Sequence, residues 1–304
     1  MLWAPNGRLL TPDTGPFVGG AKNLRYPEIC TPGGRLTIST LNPETTSDIT
    51  LQTTLYYTPY VHDAIPLWNG KDFVPYQITK DLKLALNTPA AAGLYDIWAV
   101  LKDGAPALFR GPVWTTTSAR SNDIPTRRNG RLIRVNGTGG VGYVDKRFLY
   151  LGTVYTNASG QTSDASTGRY VWNFYNKIRR TLRQRSNSGH TATFSGWRPF
   201  NNDAAGAATT SAYFVVGWPG DAISFWGWGD YNPTGNIGVH AWLDSSGAPN
   251  PMYIGPVSSS NWEIGSTANL AFPAAGLHYI QSYEYGDGSS RSYNYGDASA
   301  LIWT

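Results

Sequence analysis

The sequence contains few of the residues that cross-link a chain or bind metals. It has one cysteine, Cys30, so no disulfide can form within the chain. Its four histidines are scattered without the close spacing of metal ligands. Only 14% of its residues are charged. We therefore expect a fold without covalent cross-links, and we expect neither a metal nor another cofactor.

Long apolar runs are also missing from the sequence. No window approaches the roughly 18 apolar residues that a membrane-spanning helix needs. The N-terminal stretch MLWAPNGRLL lacks the basic start and the continuous apolar run of a signal peptide. We therefore expect a soluble protein that is neither inserted in a membrane nor exported by a signal peptide.

Recognisable catalytic motifs are absent from the sequence as well. It contains no H-E-x-x-H, C-x-x-C, P-loop or G-x-S-x-G pattern. Gly137, Gly139 and Gly142 match G-x-G-x-x-G, but a strand pattern follows them where a dinucleotide site needs a helix. A glycosidase needs two carboxylates that face one bond, and acidic pairs such as Glu284 with Asp287 could supply them. Any β-domain with several acids offers such pairs, however, so the signal is weak. We interpret the chain as non-enzymatic.

Glycine, proline and large aromatic residues are abundant, and they indicate the fold class. The chain has 34 Gly, 20 Pro, 12 Trp and 19 Tyr residues, a mixture typical of many short strands joined by tight turns. We predict a mainly β protein with two β-sandwich or barrel-like domains, one amphipathic helix and an extended N-terminal arm. The predicted parts are the arm at 1–32, a β-rich attachment domain at 33–118, a basic Gly-rich linker at 119–142, and an aromatic β-sandwich domain at 143–304.

The predicted helix spans 169–184, within the last domain. Tyr170, Phe174, Ile178 and Leu182 recur at steps of four and form one apolar stripe. The opposite face carries basic residues with no acid between them, most of them in the last turns. One interpretation is that the stripe covers a sheet while the basic residues are solvated; the other is that they meet an acidic surface of a neighbouring subunit. This basic patch consists of Lys177, Arg179, Arg180, Arg183 and Arg185.

Charge is distributed unevenly along the chain. Residues 1–119 contain 9 basic and 9 acidic residues, residues 120–200 contain 14 and 3, and residues 201–304 contain 1 and 8. Such an asymmetry can be satisfied within one protomer, between protomers or by an external polyanion. Nucleic acid is disfavoured, because no zinc finger or other nucleic-acid-binding motif accompanies the basic residues. We expect a contact between protomers or with another protein.

Aromatic residues are concentrated towards the C-terminus. The stretch ISFWGWGDY is a predicted strand with Trp226 and Trp228 on one face, and the last stretch is predicted to form a hairpin that turns at Asp287 and Gly288. Tyr and Trp rings can support a sugar ring or a protein chain. The alternative is that the tryptophans are core residues and the tyrosines form a cross-strand ladder. The first candidates for a ligand or partner surface are Tyr279, Tyr283, Tyr285, Tyr293 and Tyr295. Trp226 and Trp228 are the second-ranked candidates.

Nine short sequence pieces stand out between residues 33 and 180. They are GRLT at 34–37, NP at 42–43, YYTPY at 56–60, IPLWNG at 65–70, LYDI at 94–97, GPVW at 111–114, YLGT at 150–153, GQT at 160–162 and WNFYN at 172–176. Taken in their order, these pieces resemble a family of virion structural proteins of tailed bacteriophages, described as minor structural, tail or fibre-associated proteins. The match covers roughly residues 33–180, so the N-terminal arm and the C-terminal third lie outside it.

This resemblance implies a component of the exterior of a phage particle, located in the virion after assembly in the host cytoplasm. Its partners would be other virion proteins and further copies of itself, with a trimer expected by analogy with phage fibres. The arm and first domain would attach it, and the aromatic domain would project outward. An alternative is a carbohydrate-binding module that recognises host surface glycans through the tyrosine hairpin. A polysaccharide-degrading tailspike is disfavoured, because no repeat of about 20–50 residues is visible.

Overall fold

The regular structure of the chain is almost entirely β. The structure is a computed structural model and describes residues 31–88, 90–128, 130–136, 143–232, 238–244, 262–265 and 269–304. Within these ranges the regular elements are 22 strands and one 3₁₀ turn at Phe200–Asn202. The predicted mainly β fold class is therefore confirmed. The predicted arm lies outside the described residues, except for its last two positions.

The first strands form two small sheets and one edge of a larger sheet. Strands β1, β3 and β6 make an antiparallel three-stranded sheet, and β4 pairs with β5. The predicted turn at Asn69 and Gly70 is confirmed, because it joins β4 to β5 and Gly70 adopts a φ of 104°. The strands are β1 (Gly34–Thr37), β2 (Ile49–Gln52), β3 (Thr54–Pro59), β4 (Ala64–Trp68), β5 (Phe73–Gln77), β6 (Leu82–Ala85), β7 (Gly93–Lys102) and β8 (Ala105–Val113).

A six-stranded sheet includes most of the stretch interpreted as a linker. Its order is β8-β7-β11-β10-β9, with β14 also paired to β11. Residues 123–136 thus contribute two paired strands instead of a connection, since Gly130, at a φ of 78°, allows a tight turn between them. The strands that follow β8 are β9 (Asp123–Arg128), β10 (Arg131–Asn136), β11 (Tyr143–Thr156), β12 (Thr162–Ala165), β13 (Gly168–Arg169) and β14 (Val171–Asn173).

We call β1, β3–β11 and β14 the N-terminal framework. Its central strands, β7 and β11, are covered on both faces. Ile97 and Leu149 belong to one buried cluster, whereas Trp98 and Tyr150, one position further along each strand, belong to another. The predicted strand with two covered faces at 143–156 is therefore confirmed.

The predicted amphipathic helix at 169–184 is wrong, because this stretch forms three short strands. Two asparagines explain the difference. The Asn173 side chain bonds the backbone N–H and C=O of Leu36, at 2.6 and 3.1 Å, which holds the chain in an extended form. Asn176 adopts a φ of 53°, outside the helical region. Beyond it, buried Leu182 alternates with more exposed neighbours, since these residues pair with another strand.

The remaining strands form what we call the C-terminal sheet, which also includes β2, β12 and β13. Its central member is the 28-residue strand β22. Strands β15, β16 and β17 pair in succession along one edge of β22, and β18 and β19 pair along the other. The strands are β15 (Arg179–Ser186), β16 (His190–Pro199), β17 (Ser211–Val216), β18 (Ile223–Asn232), β19 (Gly238–Leu243), β20 (Trp262–Gly265), β21 (Asn269–Ala271) and β22 (Gly276–Trp303).

The predicted hairpin at Asp287 and Gly288 is also wrong, because β22 continues through these residues. Strand β16 pairs with β22 on both sides of them and shifts register opposite them. The two arms of β22 do not pair with each other. Ile280 from the first arm and Ala300 from the second lie in one buried cluster. Thus β22 bends and its arms form two facing layers, as at the corner of a sandwich.

A buried ion pair fastens the framework to the C-terminal sheet. The Arg120 guanidinium donates to Asp96 through Nε (2.7 Å) and also donates to the backbone oxygen of Gly217. The Thr153 hydroxyl donates a further hydrogen bond to Asp96 (2.7 Å). Burial raises the pKa of Asp96 and also that of neighbouring Tyr150. Because Gly217 follows β17 directly, this contact joins the two regions.

Candidate binding groove

An open groove lies on the outer face of the C-terminal sheet, where β15, β22 and β18 run side by side. Alternate residues of these strands point to opposite faces. The inward residues, including Leu182, Ala300 and Phe225, form the buried cluster of this sheet. The outward residues form two rows across the three strands. These rows are Arg183–Ser299–Trp226 and Arg185–Asp297–Trp228.

The groove has a volume of about 440 Å³, and Thr181 and Tyr295 complete its lining. This volume lies within the range of small-ligand sites. One wall is aromatic and the other is basic. The sheet register therefore brings together two sets that the sequence analysis kept apart, namely the tryptophans of β18 and two arginines of the predicted basic patch. Trp228 is 45% exposed, so its ring is open to solvent.

The floor of the groove holds a buried carboxylate. Asp297 is 1% exposed, and it accepts hydrogen bonds from Arg183 Nε (2.6 Å) and Ser299 Oγ (2.8 Å). These bonds compensate the cost of burying its charge. They also fix the Arg183 guanidinium over the floor, although 54% of the Arg183 side chain remains exposed. No local pattern in the sequence points to Asp297 as part of a site, because its partner Arg183 lies 114 residues away in the chain.

Arg185 occupies the second position of the basic wall. Its guanidinium carbon lies 3.8 Å from the centroid of the Tyr295 ring, a cation–π contact. No carboxylate of the described residues lies within ion-pair distance of Arg185. Among the described residues, the lining thus contains one arginine paired with a carboxylate, Arg183, and one arginine, Arg185, that stacks on an aromatic ring.

The five tyrosines do not form one exposed surface. Tyr283 and Tyr293 are 4% and 1% exposed, so their assignment to a ligand or partner surface is wrong. Tyr283 stacks on Trp242 at 3.9 Å, and the His190 ring stacks on Tyr293. The physical reason is the bend of β22, which encloses residues that a free hairpin would expose. Tyr279 and Tyr285 are half-buried, and only Tyr295 lies in the groove.

The predicted basic patch is likewise divided. Lys177 bonds Asp221 at 2.6 Å, and Arg180 donates to the backbone oxygen of Thr45. Both side chains are therefore engaged within the chain. Arg179 lies beside Trp303, beyond the groove. Because the stretch is a strand and not a helix, successive residues face opposite sides, which separates Arg180 from the rest.

A second buried charge cluster lies near the bend of β22. Glu284 is fully buried. Arg198 Nε donates to its Oε1 at 2.6 Å, and His190 Nε2 lies 3.0 Å from its Oε2. No local sequence spacing indicates this cluster, since Glu284 lies 86 and 94 residues from Arg198 and His190. Arg198 compensates the charge of this carboxylate, which solvent does not reach.

The asymmetry of charge is partly satisfied within the chain. Lys177 pairs with Asp221, Arg183 with Asp297, and Arg198 with Glu284. Each pair joins the basic stretch 120–200 to the acidic stretch 201–304. Of the three ways in which the asymmetry can be satisfied, these pairs use the first, contact within one protomer.

The described ranges contain no group of three or more His, Cys, Asp or Glu side chains that could hold a metal ion. In the same part of the chain, no helix is long and apolar enough to cross a membrane.

Comparison with known proteins gives only weak likenesses. No protein-family model matches the sequence, and no curated protein matches it. The chain is similar to the structure of infectious bursal disease virus, Gx strain, with 11% identity and a TM-score of 0.28 over 90% of this chain and 68% of that one. It is similar to the crystal structure of the T13 viral particle of infectious bursal disease virus, with 12% identity and a TM-score of 0.28 over 89% and 65%.

A third likeness is to an insecticidal crystal protein of Bacillus thuringiensis, with 11% identity and a TM-score of 0.18 over 91% of this chain and 53% of that one. The chain thus spans between about half and two thirds of the chains it resembles. At these scores the likenesses do not establish a common fold, and no argument about function rests on them.

Proposed function

We propose that this chain is a non-enzymatic structural component of the exterior of a tailed-phage virion. The observation that carries the proposal is the place of the resembling sequence pieces. Seven of the nine pieces contribute residues to the two buried clusters around β7 and β11, the exceptions being NP at 42–43 and GQT at 160–162, and none of the nine lies in the groove. The pieces that resemble that family therefore belong mainly to the framework, whereas the groove is built from residues 181–185 and from the C-terminal third.

Two contacts illustrate how these pieces depend on one another. A Cβ on Gly152 would lie 2.1 Å from the backbone oxygen of Trp172, so only glycine fits where β14 pairs with β11. Asn173, next to Trp172, bonds both backbone groups of Leu36. Gly152 and Leu36 are thus each constrained by a residue of the piece at 172–176, so these three pieces depend on one another.

In the proposed arrangement the N-terminal part attaches the protein to the particle and the C-terminal sheet projects outward. Other virion proteins and further copies of this chain are the partners, with a trimer as the expected assembly. Sedimentation equilibrium of the purified full chain tests the copy number. A molecular mass three times that of the 33.2 kDa chain supports the trimer, and a monomer at high concentration contradicts it.

The location is tested on particles produced from the genome that encodes this chain. Purified virions are analysed by mass spectrometry and labelled with an antibody raised against residues 201–304. We expect the chain among the virion proteins, with the antibody bound to intact particles. If virions purified free of host protein lack the chain, the proposal is wrong. If virions contain it but the antibody binds only disrupted particles, the exterior location is wrong.

A further inference from the structure

We propose that the groove between β15, β22 and β18 binds an oligosaccharide chain. In this site sugar rings lie against Trp226 and Trp228, and their oxygens accept hydrogen bonds from Arg183 and Arg185. The inference is independent of the virion assignment, since it rests only on the two rows of side chains described above.

The dimensions of the groove fit a chain that lies along the strands. Successive outward residues of one strand are about 7 Å apart, and β15 and β18, with β22 between them, are about 10 Å apart. The aromatic and basic walls therefore face each other across a channel one ring wide. Each wall has two residues of one type along the channel, two tryptophans on one side and two arginines on the other. This repetition favours a ligand made of similar units over a single compact molecule.

The chemistry of the walls matches a sugar. A sugar ring has an apolar face of C–H groups and a rim of hydroxyl groups. The exposed Trp228 ring offers a flat surface for the apolar face. The guanidinium of Arg183, held by Asp297, offers fixed donors for the hydroxyl groups. Because Asp297 already holds this arginine in place, little conformational entropy is lost when a ligand binds.

An extended peptide fits the groove less well than a sugar chain. Peptides that join a sheet use its unpaired backbone groups. The floor strand, β22, is paired with β15 on one side and with β18 on the other along the groove. Its backbone groups are therefore occupied, and recognition must occur through side chains.

Single-stranded nucleic acid, which also stacks on aromatic rings, is disfavoured by charge. The floor carries the Asp297 carboxylate, and Asp230 lies opposite Tyr295 at one end of the groove. The groove lining holds two arginines, and the charge of one of them, Arg183, is already paired with Asp297. A ligand with a phosphate on every unit gains its affinity from several unpaired cations, which this lining does not offer, whereas a neutral or sparsely acidic sugar chain needs none.

The test uses the purified full chain on an array of bacterial surface polysaccharides, followed by calorimetric titration with oligosaccharides from the best-retained polymer. We expect Trp228→Ala to weaken binding about tenfold or more, and Arg185→Gln to weaken it about fivefold. Trp68→Ala is the control, since Trp68 is a partly buried tryptophan of the framework that does not line the groove. It should leave the dissociation constant unchanged.

Thermal unfolding of each variant shows whether it is folded, and Trp228→Phe, which keeps an aromatic ring, should retain most of the affinity. The proposal is overturned if the wild type retains no polysaccharide, or if Trp228→Ala and Trp68→Ala weaken binding equally. Oligothymidylate serves as a competing probe. If it binds in the groove with a steep salt dependence while no polysaccharide does, the site is a nucleic-acid site and the inference is wrong.

Discussion

The N-terminal framework and the C-terminal sheet differ in where they place their most and least buried tryptophans. In the framework, Trp98 and Trp172 are fully buried and pack against Tyr150. In the C-terminal sheet, Trp228 and Trp303 are 45% and 38% exposed on the outer face. Burying an aromatic ring stabilises a fold, whereas a ring that stays exposed contributes little to stability.

A second contrast concerns the exposure of two ion pairs, one from each region. The framework ion pair of Arg147 with Asp145 has its arginine largely exposed, whereas Arg198 and Glu284 of the C-terminal sheet are mostly enclosed. A pair of the first kind contributes little to stability, while breaking a pair of the second kind leaves a buried charge without its partner. Both contrasts can be measured.

The largest expected effect is that of Trp172→Ala in the framework. Trp172 is fully buried and contacts Tyr150, Phe174 and Lys177. We expect the free energy of unfolding, measured in urea, to fall by about 3–5 kcal/mol. The matched variant Trp228→Ala should cost less than about 1 kcal/mol. Equal losses would remove the distinction between a buried framework and an exposed groove wall.

Next in size is the effect of Arg198→Met near the bend of β22. The methionine keeps most of the aliphatic volume but leaves Glu284 buried without its nearest cation. We expect a loss of about 3 kcal/mol in the free energy of unfolding at neutral pH. Arg147→Met, at the exposed framework pair, should cost less than about 1 kcal/mol. If both variants unfold at the same urea concentration, the second contrast does not hold.

A smaller, pH-dependent effect is expected at His240 of β19. Burial lowers the pKa of His240 to about 4, and the Asn269 amide lies 3.4 Å from its Nε2, where it donates to a neutral ring. The folded state therefore favours the uncharged form. Its contribution to stability is complete above the unfolded pKa, about 6.5, and is lost as the pH falls from there towards 4.

His240→Phe removes this titration while keeping a ring. Between about pH 7 and pH 4.5, the wild type should lose about 1–3 kcal/mol more of its free energy of unfolding than the variant does, after allowance for solvent screening. Urea unfolding at the two pH values measures the difference. A wild type and a variant with parallel pH profiles would show that His240 does not titrate in this range.

Local signals in the sequence were sufficient to predict several turns and strands of the framework. The Asn69-Gly70 turn joins β4 to β5 as predicted, because a turn depends on residues adjacent in the chain. Alternation in β11 indicated a strand covered on both faces for the same reason. At 169–184, however, a spacing of four was compatible with both a helix and alternate strands. Pairing of Leu182 with Ala300, 118 residues later, selected the strand.

The candidate site depended on long-range pairing to a greater extent. Trp226, Trp228 and the arginines were recognised as residues of interest from their types alone. Their meeting in one groove, with Asp297 on its floor, follows from the register of β15 and β18 on β22. A shift of one residue in either strand would turn these side chains into the core, and no pattern within one strand specifies the partner residue of another.

By itself, the sequence determined the mainly β fold class, the tight turns and the excess of aromatic and uneven charged residues, since these depend on composition and on neighbours along the chain. The tertiary structure alone decided that the tyrosines are largely enclosed, that basic and acidic stretches pair within one chain, and that a groove exists. The reasons are the bend of β22, which makes two layers from one strand, and the pairing of β15 and β18 with it, which brings together residues as far apart as Arg183 and Asp297.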